Sequence, residues 1–237
     1  MKRKIEKTYG STLKGLMFAL NPIKKKVLKT HCTVHKFINL KAIDILKNND
    51  YSKEYNFFKT YVRFINEGVA WADQDFKSSN HFYHVIKGKG LYGFSDALTE
   101  CRKYYNRSCQ YLIEKDIKKS MFFLGGACHL VQDATVPQHV NNKLLKSHRK
   151  FEIWIISKLM SDYSFEEAKK IKRYDSLEEY IKNNAIMADN VYREYQNIDD
   201  MEEKYMKISN KIISEAQMTT AGFLLDYYNE YIRTYSK

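Results

Sequence analysis

The chain contains 237 residues, of which 44% are hydrophobic and 29% are charged. This composition excludes a disordered tail, because it supplies enough apolar surface for a sizeable core. The 40 basic residues outnumber the 28 acidic ones and give a formal net charge of +12, which favours an anionic partner such as phospholipid headgroups, nucleic acid or a phosphorylated substrate.

The chain begins with a basic segment, residues 1–29, which we expect to be an extension in front of a single domain at 30–237. Its apolar run "GLMFAL" has six residues and is bordered on the N-terminal side by Lys14, whereas a signal peptide needs roughly 7–15 apolar residues. No stretch reaches the ~20 apolar residues of a membrane span. We therefore expect a cytoplasmic protein or one peripheral on the membrane, with secretion as the alternative.

Beyond this segment, apolar residues recur at helical spacing, while strand-like alternation is scarce. The predicted helices are 33–47, 54–67, 96–114, 117–134, 147–158, 176–196 and 202–235. Segment 117–134 is apolar on all sides, which is typical of a central helix, and Ser147 has the residue type of an N-cap. Segment 68–95 is punctuated by glycine and is predicted to be a long functional loop. The fold class predicted is all-α.

The four cysteines follow no spacing that indicates a zinc knuckle, and the chain is too long for a disulfide scaffold. They are Cys32, Cys101, Cys109 and Cys128. We expect them to be unpaired small hydrophobic residues in a reducing compartment.

Histidines and carboxylates recur together along the predicted helices. His129 and Asp133 are four residues apart, as are His148 and Glu152, and this spacing sets each pair on one face of a helix. His139 follows Pro137, where the central helix must have ended, so it can reach back from a loop. Imidazole and carboxylate are ligands that zinc accepts, and a bound cation would satisfy polar groups in so apolar a stretch.

A further set lies upstream in the predicted loop "WADQDFKSSNHFYH", which contains Asp73, Asp75, His81 and His84. A single histidine–aspartate pair on a helix is more often a surface hydrogen bond than a ligand pair. In the same way, Asp133 could merely end its helix. Two such pairs combined with the loop set favour a metal site.

The order of these motifs resembles that of the bacterial zinc-dependent phospholipase C family, which includes the alpha-toxin and cereus types. Its pattern runs from His on the first helix through Asp and His-Phe-Tyr in a loop to His-x3-Asp-x5-His and His-x3-Glu. Here it appears as His35 in "HKFINLKAIDIL", then "ADQD", "HFY", "CHLVQDATVPQH" and "HRKFE". The late "AQMTTAGFLLDYY" resembles the family's last core helix, so the resemblance spans about residues 30–230.

The resemblance implies two to three zinc ions per chain. The implied ligand sets are His139, His148 and Glu152; Asp73, His81 and His129; and His35 with Asp133, which bridges to the second set. It also implies hydrolysis of a phospholipid, in which a metal-activated hydroxide attacks phosphorus and diacylglycerol leaves. Asp73 and Asp133 are the implied catalytic carboxylates, with Asp73 assisting deprotonation of the water.

The chain departs from the family at the third zinc site. The family's N-terminal tryptophan completes that site, but the first tryptophan here is Trp71. His31 lies four residues before His35 and can replace the missing ligand, or it can be an ordinary residue in front of the helix.

Two further departures concern the substrate. Gln74 stands where an aromatic residue normally helps to enclose choline, so the resemblance does not extend to choline specificity, and Asp75 is an alternative to Asp73. We expect no membrane-docking β-sandwich. Any contact with an anionic membrane would then come from the basic surface, and we expect the chain to be a monomer.

Two other functions remain open from the sequence. One is a single-strand-type nuclease, which shares the tri-zinc helical fold and would suit the positive charge. Glu152 favours the lipase, because at this position the chain resembles the lipases, which have glutamate, and differs from the nucleases, which have aspartate. The other is a non-catalytic relative that keeps zinc for stability and binds anionic lipid.

Overall fold

The computed structural model describes residues 32–74, 77–91, 95–141, 145–161 and 163–235. Within these ranges there are eight α-helices and no strand, so the all-α prediction is confirmed. The helices are α1 Thr33–Asn48, α2 Ser52–Ala72, α3 Ala97–Ile113, α4 Ile117–Asp133, α5 Pro137–Val140, α6 Leu145–Leu159, α7 Leu177–Tyr195 and α8 Met201–Tyr235. The basic extension 1–29 and the candidate residues His31 and Asp75 lie outside the described residues.

Local side chains explain where three of the helices begin. The carboxylate of Asp96 accepts a hydrogen bond from the Thr99 backbone N–H at 2.9 Å and caps α3, and Asp116 caps α4 in the same way. The hydroxyl of Ser176 accepts from a backbone N–H of the first turn of α7. These contacts satisfy backbone donors that a helix start leaves without partners.

Helix α4 is the central element, as its all-round apolar sequence predicts. Every residue from Phe123 to Asp133 is buried, with α2 and α3 packed along it. Helix α2 crosses α4 at backbone contact, since a Cβ on Gly68 or on Gly125 would overlap a carbonyl oxygen of the other helix. Only glycine permits so close an approach.

The remaining helices complete two apolar clusters around this centre. One joins α4 to α2, α3, α7 and the C-terminal half of α8. The other includes Phe151 and Ile155 of α6, Ile208 and Ile212 of α8, and Ile38 of α1. The 35-residue helix α8 contributes to both clusters, so the C-terminal end of α4 is held between them.

Three local predictions were wrong. The loop predicted at 68–95 is helical to Ala72, because Gly68 makes a close helix crossing instead of a break. Ser147 lies inside the first turn of α6, which begins at Leu145, and is therefore not its N-cap. His139 belongs to the short helix α5 and not to a loop, with Pro137 at the first helical position, where its missing N–H costs nothing.

All four cysteines are free thiols in the structure, in agreement with the prediction that they are unpaired, while the reducing compartment stays a prediction. No helix in the part of the chain that the structure describes is long and apolar enough to cross a membrane.

Candidate metal centre

The last turn of α4 places two polar side chains in the interior. His129 Nε2 lies 3.0 Å from Asp133 Oδ2, as expected for residues one turn apart on the same face. Asp133 is only 3% exposed and His129 only 2%. Such buried groups carry a large desolvation cost unless partners surround them.

His81 comes to the same carboxylate oxygen from the segment that precedes α3. Its Nδ1 atom lies 2.8 Å from Asp133 Oδ2 and 3.1 Å from His129 Nε2. The ring is oriented from both sides, because Nε2 donates to the Ala72 carbonyl oxygen at 3.1 Å. In addition, the Tyr83 N–H donates to the His139 carbonyl oxygen at 3.0 Å, which ties this segment to α5.

The other carboxylate oxygen of Asp133 faces two more imidazoles. His35 of α1 places Nε2 at 3.4 Å from Oδ1, and His139 of α5 places Nε2 at 3.9 Å from it. Four imidazoles from four separate segments therefore surround one carboxylate. The rings of His35 and His129 are also adjacent, with centroids 4.1 Å apart.

Helix α6 supplies a second histidine–carboxylate pair beside His139. His148 Nε2 lies 3.2 Å from Glu152 Oε1, and the His148 and His139 ring centroids are 4.5 Å apart. Within the described residues, three groups have nitrogen and oxygen atoms within 4.8 Å of one another. These donor groups are His35, His129 and Asp133; Asp73, His81 and His129; and His139, His148 and Glu152.

The structure thus brings together eight of the residues singled out from the sequence, and His129 is shared by two donor groups. His84 belongs to none of them. That these groups bind metal stays a prediction.

Unpartnered atoms test whether the donor groups suit a metal ion. Four buried atoms here form no contact with the geometry of a hydrogen bond: His129 Nδ1, Asp133 Oδ2, His139 Nδ1 and His148 Nε2. Two of them, Asp133 Oδ2 and His148 Nε2, nevertheless lie within 3.2 Å of other donor-group atoms, as expected for ligands that converge on one ion. Each such atom costs about 1–3 kcal/mol if nothing satisfies it. Imidazole nitrogens and carboxylate oxygens are the donors that zinc takes, so these residues fit a zinc centre.

The electrostatics of the site keep three of the donors, His35, His139 and Asp133, in the form that binds a metal ion. Burial lowers the pKa of His35 to about 4 and that of His139 to about 3, so both rings are neutral near pH 7 and keep a lone pair. Burial alone would raise the pKa of Asp133, but His129 and His139 hold it well below its usual range. For His148, burial acts to lower the pKa, but the Glu152 carboxylate outweighs it and raises the pKa.

Two orienting contacts were missed from the sequence. One is the Ala72 carbonyl behind His81. The other is Gln132, whose side-chain oxygen lies 2.9 Å from His35 Nδ1. Gln132 lies next to the candidate ligand Asp133, but His35 is 97 residues away in the sequence. No local pattern therefore indicates that the two side chains meet.

Comparison with known proteins agrees with this geometry. Residues 34–205 match the family model described as zinc-dependent phospholipase C. The chain is 24% identical over 234 residues to a phospholipase C of Bacillus cereus, with 83% of this chain and 81% of that protein covered.

Solved structures of clostridial toxins have a similar fold. An alpha-toxin from Clostridium absonum superposes with a TM-score of 0.68 at 18% identity, over 83% of this chain and 63% of the toxin. Alpha-toxin from an avian strain of Clostridium perfringens gives a TM-score of 0.66 at 16% identity, over 85% of this chain and 63% of the toxin. The chain therefore spans less than two thirds of the length of these toxins, and the likeness concerns their fold.

Proposed function

This chain belongs to the zinc-dependent phospholipase C family, and on that premise we propose that it hydrolyses glycerophospholipids to diacylglycerol and a phosphorylated headgroup. The observation that carries the proposal is the convergence of three donor groups around the end of α4. Their unpartnered buried atoms support a role as ligands instead of a purely structural one.

We assign two to three zinc ions to these groups. His129 is shared by two groups, while His139, His148 and Glu152 form a group of their own. Asp133 belongs to the group of His35, and its Oδ2 atom also lies 2.8 Å from His81 Nδ1 of the neighbouring group. When bound, zinc neutralises phosphodiester oxygens and makes hydroxide available near neutral pH. The chain contributes neutral imidazoles, because burial disfavours their protonation.

Asp73 is the proposed acceptor of the proton from the attacking water. It caps the C-terminal end of α2 and is half-buried, so it adjoins both its donor group and solvent. A carboxylate that reaches the water and can pass its proton to solvent suits a general base.

An apolar cleft next to the donor groups supports a lipid substrate over a polynucleotide. Its polar lining includes His35, Asp133 and Glu152, and its other walls are mainly branched aliphatic side chains of α1, α6 and α8. Such walls suit the apolar part of a lipid and offer no cations for a chain of phosphates.

We also propose peripheral contact with anionic membranes through the basic residues of the chain. Residues 1–29 contain nine lysines or arginines and one glutamate. The location in the cell and the monomeric state stay predictions.

The test is hydrolysis of phosphatidylcholine and phosphatidylethanolamine in mixed micelles by the zinc-loaded chain. We expect release of phosphorylated headgroup that a chelator abolishes and zinc restores. Asp133→Asn should lower this activity by at least about 100-fold, since loss of even an outer partner of a metal ligand costs 10–100-fold. Asp96→Asn, which keeps a good N-cap at α3, should leave it unchanged.

The same preparation separates the alternatives. Zinc-dependent cleavage of single-stranded DNA without lipid hydrolysis would identify a nuclease. Zinc binding with no turnover on either substrate would identify a non-catalytic relative.

A further inference from the structure

His35 is held at one ring nitrogen by a side chain that is not among the proposed ligands. Its Nδ1 atom lies 2.9 Å from Gln132 Oε1, while its Nε2 atom lies 3.4 Å from Asp133 Oδ1. Gln132 is 1% exposed. The two ring nitrogens of His35 thus face two consecutive residues at the end of α4.

The orientation of the Gln132 amide is fixed by its other partners. Gln132 Nε2 donates to Asn39 Oδ1 at 2.8 Å and to Thr220 Oγ1 at 3.2 Å. Asn39 Nδ2 in turn donates to Asn66 Oδ1 at 3.0 Å. Because both N–H groups of Gln132 are used in this way, only its oxygen can face His35.

This orientation decides which nitrogen of His35 carries the proton. An amide oxygen can only accept a hydrogen bond, so His35 Nδ1 must be the donor, and a neutral ring then has a bare lone pair at Nε2. That lone pair faces the carboxylate of Asp133 with no proton between them. Two acceptor atoms at this distance repel each other unless a cation lies between them. The contact of Nδ1 with Gln132 also fits a metal ligand, because metal-bound histidines usually donate their second N–H to an outer partner.

We propose that Gln132 is a positioning residue that presets His35 as an Nε2 ligand. The proposal rests on the zinc binding proposed above and concerns the donor group of His35, His129 and Asp133. The amide chain from Asn66 through Asn39 to Gln132 aligns the lone pair before an ion arrives. Occupancy of this group therefore depends on Gln132, while that of the group on α5 and α6 does not.

The direct test is the tautomer of His35 in the wild-type chain, both zinc-loaded and after chelator treatment, read from nitrogen–proton correlations in NMR spectra. We expect the proton on Nδ1. A proton on Nε2 would overturn the proposal without the use of any variant.

The second test replaces Gln132 with methionine, which keeps the length of the side chain and removes the acceptor. Zinc per chain, measured by mass spectrometry after dialysis, should fall by one ion, or the weakest site should lose about 10–100-fold in affinity. The matched control is Gln217→Met, the same change at a buried glutamine of α8 that accepts a hydrogen bond from the Ala168 backbone N–H and belongs to no donor group. It should keep the zinc content and the tautomer of the wild type.

The outcomes separate this proposal from the proposed function. Equal zinc content and affinity in Gln132→Met and wild type would overturn the role of Gln132 alone. An equal loss in Gln217→Met would overturn it too, because the effect would then be one of general packing. A wild-type chain that binds no zinc would overturn both proposals.

Discussion

At the scale of single residues, Asp133 lies at the centre of the candidate site, because both of its carboxylate oxygens face imidazoles. Oδ2 is close to His81 and His129, and Oδ1 faces His35 and His139. Burial lowers the pKa values of His35, His129 and His139 and keeps these three rings from gaining protons, while His129 and His139 hold the pKa of Asp133 well below its usual range. The stability of the metal-free chain should therefore depend on pH.

We predict that the metal-free chain loses stability as the pH falls from 7 to 5. In the unfolded chain His35 and His139 take up protons near pH 6.5, whereas in the folded chain they do so only near pH 4 and pH 3. Protons bound by the unfolded state alone favour unfolding, at about 1.4 kcal/mol per pH unit for each group. His148 acts in the opposite direction, because its pKa is raised. The net loss should be about 2–4 kcal/mol, measured by urea unfolding of chelator-treated protein.

Two variants check the source of this dependence. His139→Gln has no imidazole at position 139 that could take up a proton. Its free energy of unfolding should therefore fall less steeply between pH 7 and pH 5 than that of the wild type. His84→Gln, outside the donor groups, should keep the wild-type slope. A stability that does not change between pH 7 and pH 5 would contradict the prediction.

The sequence could predict which candidate donor residues lie near one another, but not how they meet. The pairs His129–Asp133 and His148–Glu152 are local, so helical spacing alone places each on one face. The approach of His35 and His81 to Asp133 depends on tertiary packing, and the motif resemblance indicated it where spacing could not. The orientation of His35 by Gln132 depends on an amide chain through three helices, for which no local pattern exists.

At the scale of elements, the crossing of α2 and α4 positions Asp73 at the end of α2 and His129 on α4. Gly68 lies five residues before Asp73, and Gly125 lies one turn before His129. In a sequence, glycine usually indicates the end of a helix. A glycine that instead allows a second helix to pack closely gives the same signal, because the sequence does not show which backbone lies next to it. For this reason the start of the irregular segment was predicted too early.

We predict that Gly125→Ala destabilises the fold by about 2 kcal/mol, because the new methyl group would overlap the Ile65 carbonyl oxygen and push the helices apart. Gly126→Ala is the matched control. Its methyl group would meet Tyr104 Cδ2 at 3.2 Å, a side-chain atom that can shift, and alanine also favours helix by about 1 kcal/mol. It should stay within about 1 kcal/mol of wild type.

Urea unfolding followed by circular dichroism measures both variants. Equal stabilities for Gly125→Ala and Gly126→Ala would mean that the backbone crossing does not limit the approach of the two helices. A loss of zinc in Gly125→Ala at full helix content would further link the crossing to the position of His129.

At the scale of the whole molecule, the positive charge is concentrated at one end of the sequence. Residues 1–29 contain nine basic residues and one acidic residue, a net charge of +8 out of the total of +12. The remainder of the chain is therefore only weakly basic, at +4. Clusters of basic residues bind anionic leaflets at about 1 kcal/mol for each residue near the surface, and salt weakens the attraction.

We predict that the run Lys24, Lys25 and Lys26 contributes to membrane binding without contributing to hydrolysis. Replacing all three with glutamine should weaken binding to phosphatidylserine vesicles by about 3 kcal/mol at low salt, or roughly 100-fold. The loss should shrink at high salt, because screening already removes the attraction. Vesicle sedimentation measures the binding, and a short-chain soluble phospholipid should be cleaved at the wild-type rate.

Neutralising three exposed lysines elsewhere, Lys53, Lys59 and Lys211, changes the net charge equally and is the matched control. We expect it to weaken vesicle binding much less, because separated charges do not act on the same patch of lipid. If both triple variants lost binding equally, net charge alone would attract the chain to the membrane. If neither did, membrane contact would depend on apolar surface near the cleft, since apolar burial does not respond to the loss of these charges.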